Sequence, residues 1–575
     1  MRFDNLCPFH ACGKLQNALL LNGTNLMRIL NKRLLLAWVL GILPAYIVTG
    51  FLDAYYKTGV ENLFVSLVAQ SLITLFVYFL LGRLALRFRL QRVEAALSLV
   101  LGVTVLVFFV GLVIMASRFP NQFDILTYVL SPATLPFFIV GVITALPAAI
   151  GLLSVARRYP FQQTRFYKFI DKNLGGIIIA LLFFLVYFLL ATIFNQPVFD
   201  FDDIYFDTDS ALYRYRFGTE FYKDYYDRTV HPYVLIIVRP WVWMVSLFLK
   251  GDMLYGAFAV TALTGALCVF LVWYFVREST SNSLYALLIA GLFGASTSQL
   301  AFGSLIENYI FLGAAALIFI VLLLKDKPMY MLVITGLVSF GITISNIAQT
   351  VIAHFMVKRN IPQLIKYGLI VGAFIIPLNL LNNFIYPDAH PYLWEVSTLQ
   401  FEEKNVFEPT LQRANFMVRA MLMHSFVAPD PLLIKEDIPY LKVWLFRAAQ
   451  KQGLLEIARY ETALGKGLVA VWIFFAAIGG VLFLKNLFKQ DNRFSFAFIF
   501  IVLFSFVLHM RYGRDIFLYS TNWTYAITLF LALAWREISN KRWFQIPLLA
   551  FIIFQMVNNA RLILFMLLAA YIHLR

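Results

Sequence analysis

Residues 199–233, FDFDDIYFDTDSALYRYRFGTEFYKDYYDRTVHPY, crowd eight acidic side chains into a chain that is otherwise apolar and basic. Asp200, Asp202, Asp203, Asp207 and Asp209 come first, and Arg214, Arg216, Lys223 and Arg228 follow. Carboxylates this close repel one another, so they suit deprotonating a hydroxyl, holding a divalent ion, or simply standing in solvent. Arg228 and His231, just ahead of Pro232, are suited to a phosphate, since guanidinium groups and helix N-termini both bind one well. The plainer reading makes His231 a polar helix cap and Arg228 a lipid-headgroup contact. Two further places offer chemistry. Glu307 is a lone carboxylate in FGSLIENYIFLG, and HMRYGRDIFLYSTNW carries His509, Arg511, Arg514 and Asp515 ahead of Tyr519, Asn522 and Trp523. Paired arginines there suit a phosphate or pyrophosphate.

The elements that must position these residues are helices in a membrane. In 575 residues, 61% are hydrophobic and 14% charged, and mean hydropathy is +0.78, which excludes an ordinary soluble globule. Apolar runs long enough to cross roughly 30 Å of hydrocarbon recur from Leu34 to Tyr571, and only helices satisfy the backbone in such segments. The fold expected is therefore all-α and polytopic, with about 14–15 transmembrane helices. The net charge of +16 is spread over short loops rather than gathered on one face, so it reads as topology and not as a nucleic-acid surface. Cys7, Cys12 and Cys268 form no disulfide framework, and CPFHAC with His10 lacks the ligand count of a zinc site. No small-residue cleavage site follows the N-terminus, so the first span is expected to insert uncleaved.

Spans are expected near 34–51, 63–82, 94–117, 133–154 and 174–194. Lys32 and Arg33, then Arg83 to Arg92, then Arg157 to Lys172 mark the cytoplasmic side. Residues 195–253 then face outward and end in HPYVLIIVRPWVWMVSLFLK, which we read as a helix in the interface, the alternative being a span kinked at Pro240. Later spans are expected near 254–276, 284–303, 309–324, 367–384, 465–485, 494–509, 516–535 and 544–571. Two short passes within 329–357 must break around Gly341 to Asn346, which membrane proteins permit only against protein or a water-filled cavity. A second external loop, 385–463, is too long to be a mere connector. Gln555, Asn558, Asn559 and Arg561 interrupt the last span and leave the side of the C-terminus open.

Taken together, FDTDSALYRYRFG followed by RTVHPYVLIIVRP, with LIENYIFLGAA, GITISNIAQTVIA and YGRDIFLYSTNWTYAITLF, resembles the GT-C superfamily of membrane glycosyltransferases over roughly residues 174–535. The resemblance implies extra membrane helices over 1–170, a catalytic membrane domain over 171–535 that includes loops 195–253 and 385–463, and a C-terminal helix over 536–575. It implies inverting transfer of a sugar from a polyprenyl-phosphate donor to a lipid or glycan acceptor, on the periplasmic face of a bacterial inner membrane. Asp209, or alternatively Asp207, would be the base. Arg228, His231, Arg511 and Arg514 would hold the phosphate, with Glu307 and Asn346 lining the sugar pocket. A divalent cation, Mg or Mn, is compatible with this chemistry but not required by it, and the other expected partners are membrane lipids. The sequence departs from the Asp-Glu pair of the protein O-mannosyltransferase branch, which argues against a protein acceptor. A flippase for a lipid-linked glycan, or a glycan polymerase or ligase, would share the same architecture.

Overall fold

The computed structural model describes residues 23–159, 161–198, 202–223, 228–435, 441–449 and 453–574, without the side chains of 23–31 and 157–158. Cys7, His10, Cys12 and Asp200 lie outside the described residues. The protein is an all-α, multi-pass membrane protein: nine described helices are long and apolar enough to cross a bilayer. The passes expected at 284–303, 309–324, 329–357, 494–509 and 516–535 fall on shorter helices. Val234–Ser246 with its 3-10 extension to Leu249 is about 20–25 Å long at 1.5 Å per residue, as short as Tyr309–Leu324. Trp241 and Trp243 on it are exposed.

The chain divides into two compact units. The first comprises the described residues up to Ala96 together with Ile125–Phe169. Its helices Gly23–Asp53, Gly59–Leu90 and Leu135–Arg158 are tied by polar groups inside an apolar packing: Trp38 Nε1 donates to the Val142 carbonyl at 2.9 Å, and Gln70 Nε2 donates to the Trp38 carbonyl at 2.8 Å. Side-chain hydrogen bonds and close backbone approach are how helices adhere in lipid, where apolar burial gives little preference for a neighbour.

The second unit, Leu97–Asp124 with Ile170–Arg575, holds every residue singled out above that the structure describes, apart from the flanking cations of the first four spans. Its helices break repeatedly near one end. Ser283–Gly294 stops before Thr297–Phe302, and Thr297 N and Ser298 N, freed by that break, donate to the carbonyls of Phe426 and Ser425 in the long loop. Met329–Ile342 and Ile347–Lys358 are separated by a 3-10 turn at Ile344–Asn346, where the sequence placed the break. There Ile344 N donates to Val230 O and Tyr233 N to Gly341 O, so the segment at 230–233 satisfies the broken helix. A Cβ on Gly341 would sit 2.0 Å from the Tyr233 ring, which explains glycine at that contact.

The long loop at 385–463 is not wholly irregular. Strands β1 (Leu432–Lys435) and β2 (Leu441–Trp444) pair antiparallel, as do β3 (Phe446–Ala449) and β4 (Leu454–Ile457). The polar residues that interrupt the last helix, Arg542–His573, anchor this loop. Gln555 donates to Phe426 O, Asn558 to Ala428 O, and Asn559 to both Ala295 O and Phe426 O while accepting from Ala428 N. His573 lies 3.3 Å from the Leu441 carbonyl, so the helix ends beside β2.

Candidate active site

The described residues 202–209, ahead of the short helix Ser210–Gly218, fold back on themselves. Asp203 N donates to Thr208 O, and Ile204 O and Phe206 N both pair with Val443 of β2. Tyr205 and Phe206 plug the bundle: Tyr205 Oη donates to Met566 O at 3.3 Å, and Phe206 packs on Phe302 and Phe517. Asp203, Phe206 and Asp207 all have left-handed backbone, with φ of 68°, 57° and 60°. A bulky Phe in that region costs on the order of 1–3 kcal/mol, and such strain persists only where surrounding structure enforces it. Asp202 is a structural carboxylate, accepting from Ala211 N at 2.9 Å and Leu212 N at 3.3 Å at the start of the following helix.

The conformation turns Asp203, Asp207 and Asp209 toward a cavity of about 270 Å³. Two guanidinium groups alternate with them. Arg228 donates to Asp209 Oδ2 at 2.8 Å, and Arg514 stands 3.2 Å from Asp207 Oδ1 and 3.8 Å from Asp203. The Arg514 contact lacks hydrogen-bond geometry, so Asp207 Oδ1 is buried without a hydrogen-bond partner. Burial, reinforced by Asp203 and opposed by Arg514, pushes the Asp207 carboxyl well above the usual range. Aromatic and second-loop residues close the rest of the cavity. Tyr309 meets Tyr519 edge-on at 5.1 Å, and His509 stacks on Tyr519 at 4.3 Å. The 3-10 segment Val396–Asn405 contributes Leu399, Phe401, Glu402 and Lys404.

Of the residues marked in the sequence, Asp207, Asp209, Arg228, His231 and Arg514 line this one cavity. Glu307 and Asn346, expected at the sugar pocket, do not line it. Glu307 is buried behind the loop, its Oε2 accepting from Asp209 N at 3.0 Å and its Oε1 from Asn308 N at 2.9 Å. Asn346 is buried and donates to Asn522 Oδ1 at 3.2 Å, and Asn522 is the residue that reaches the cavity. Arg511 turns away into a separate recess with Phe407 and Arg413, because Gly513, at φ 105°, bends the chain between the two arginines. His231 lines the cavity in a neutral state. Its Nδ1 sits 2.6 Å from the Ile342 carbonyl and must donate there, while burial and Arg228 lower its pKa well below the ordinary value. It therefore joins the first loop to the broken helix rather than adding a positive charge.

Sequence reasoning missed Glu402 and Tyr512 as partners. Tyr512 Oη donates to Glu402 Oε2 at 2.5 Å across 110 residues of chain, and no local pattern announces such a pair. Among the described residues, no group of three or more His, Cys, Asp or Glu side chains is arranged to hold a metal ion. The cavity aspartates instead face Arg228, Arg514 and Lys442.

An all-helical, multi-pass membrane protein with an acidic, cationic and aromatic cavity at its broken helices is the class that fold and site define. Comparison with protein-family models, with curated proteins and with solved structures returns no match.

Proposed function

We propose that the protein is an inverting glycosyltransferase of GT-C type, moving a sugar from a polyprenyl-phosphate donor to a lipid or glycan hydroxyl at the outer face of a bacterial inner membrane. One observation carries the reading: three aspartates and two guanidinium groups meet around a single aromatic-walled cavity, framed by broken helices. Its volume, about 270 Å³, lies near the small end of ligand pockets, suiting one sugar with its phosphate.

In this mechanism a carboxylate takes the proton of the acceptor hydroxyl. The acceptor oxygen attacks the anomeric carbon, and the bond from that carbon to the phosphate oxygen breaks with its electron pair leaving on the phosphate. Arg228 and Arg514 stabilise the phosphate as its charge grows. Asp209, or alternatively Asp207, is the base: Asp209 stands 2.8 Å from Arg228 and Asp207 3.2 Å from Arg514, so each carboxylate faces the cavity beside a cation. The cations supply charge that a divalent ion would otherwise provide, so Mg or Mn remains an addition to be tested with chelator.

The decisive assay is transfer by purified protein in nanodiscs supplied with labelled polyprenyl-phosphate sugars. The reading predicts a new glycosidic bond and free polyprenyl phosphate, both strongly reduced in Asp209→Asn and in Asp207→Asn and lost in whichever variant removes the base. Movement of the lipid headgroup across liposomes with no new bond would favour a flippase instead.

A further inference from the structure

We infer that Glu402 and His509 form a hydroxyl-reading subsite in the cavity wall, selecting a polyol by its O–H donors. It shares the cavity with the carboxylate–guanidinium pairs. Glu402 comes from the long loop at 385–463 and His509 from the end of the helix Arg493–His509, and both line the cavity.

Tyr512 fixes both side chains. Its phenol occupies Glu402 Oε2, and its carbonyl lies 3.1 Å from His509 Nδ1. A carbonyl accepts only, so the imidazole must donate from Nδ1, which leaves Nε2 as a bare acceptor. The remaining atoms, Glu402 Oε1 and His509 Nε2, are buried with no hydrogen-bond partner. The ring of His509 also stacks on Tyr519. Two desolvated acceptors in one cavity are costly when empty, and they regain that cost when donors arrive.

The chemistry of the pair disfavours an anion. A phosphate oxygen brings lone pairs against lone pairs, whereas a sugar hydroxyl brings a donor to each atom, and the rings of Tyr309 and Tyr519 line the same cavity. The cavity thus offers cations to a phosphate and acceptors to hydroxyls. Assigning the polyol as the transferred sugar rests on the transferase reading, but the subsite itself does not.

The test measures binding of methyl hexosides and their monodeoxy analogues to the full chain in nanodiscs, with farnesyl phosphate as an independent probe of the cations. At least one hexoside should bind saturably and lose about tenfold or more when one hydroxyl is removed, the scale of an unmet buried hydrogen bond. Glu402→Gln, which puts a donor where an acceptor stood, and His509→Phe, which keeps the stack, should abolish that discrimination and leave farnesyl phosphate affinity within about twofold. Equal binding of hexosides and deoxy analogues by the wild type overturns the subsite, whether or not the variants fold, and so does discrimination that survives both substitutions. Discrimination without any transfer from a lipid-phosphate donor would overturn the transferase and leave the subsite standing.

Discussion

Glu307 supports the proposed base loop from behind, and replacing it should move Asp209 without touching the cavity surface. Its two oxygens accept from different backbone amides, Asp209 N at 3.0 Å and Asn308 N at 2.9 Å, in a fully buried setting. Glu307→Gln keeps the shape but has one acceptor oxygen, so its amide nitrogen must face one of those N–H groups. One stranded amide costs about 1–3 kcal/mol, and Glu307→Ala, which strands both, about 2–6 kcal/mol. A displacement of about 1 Å at Asp209 would reduce turnover on the order of a hundredfold. The pH dependence has a fixed sign. Burial and the nearby Asp209 raise the Glu307 carboxyl well above its ordinary value, so the folded state keeps a proton that the unfolded state releases. The wild type therefore loses stability as pH rises from the ordinary Glu range toward the folded pKa, and Gln does not. Unfolding in mixed micelles should show a gap between wild type and Glu307→Gln that narrows as pH rises, and transfer assays should show kcat falling more than KM rises. A Glu307→Ala protein as stable and active as wild type would refute the reasoning.

Arg228→Ala and Arg514→Ala should each weaken farnesyl phosphate binding by about tenfold or more, as loss of a charge-assisted hydrogen bond implies, while Arg511→Ala should leave it within about twofold; isothermal titration checks all three. Asp515, buried and accepting from Leu445 N and Phe517 N, is raised to about 7. Stability should therefore fall by roughly 4 kcal/mol between about pH 4 and pH 7 on its account, and Asp515→Asn should flatten that part of the profile. Ser210→Cys, at the start of the helix after the aspartate loop, should react with a membrane-impermeant maleimide added outside intact cells; labelling only after lysis would reverse the assigned topology.

The membrane class, the broken helix at Gly341–Asn346 and the cavity's catalytic candidates were legible because each left a local mark: apolar length, a pass too short to cross, or charge where apolar residues prevail. What was not legible depends on distant partners. Asp202 reads like its neighbours, yet accepts from the Ala211 amide in a helix that starts eight residues on. Arg511 and Arg514 look equivalent until the turn at Gly513 sends them into different recesses. Glu402 sits beside Glu403 and Lys404 in an ordinary polar stretch, and only the fold brings it to Tyr512. Gln555, Asn558 and Asn559 looked like damage to a span, whereas their amides hold the backbone of the loop at 426–428. In lipid a buried amide needs a partner, and a loop entering the bundle supplies one.

A structure of the protein in nanodiscs with a non-hydrolysable polyprenyl phosphonate sugar tests the central claim most directly. The account predicts the phosphonate between Arg228 and Arg514, with the sugar against Tyr309 and Tyr519 and its anomeric carbon facing Asp207 and Asp209. An analogue bound in the Arg511 recess, or bound with its headgroup away from the aspartate loop, would contradict it.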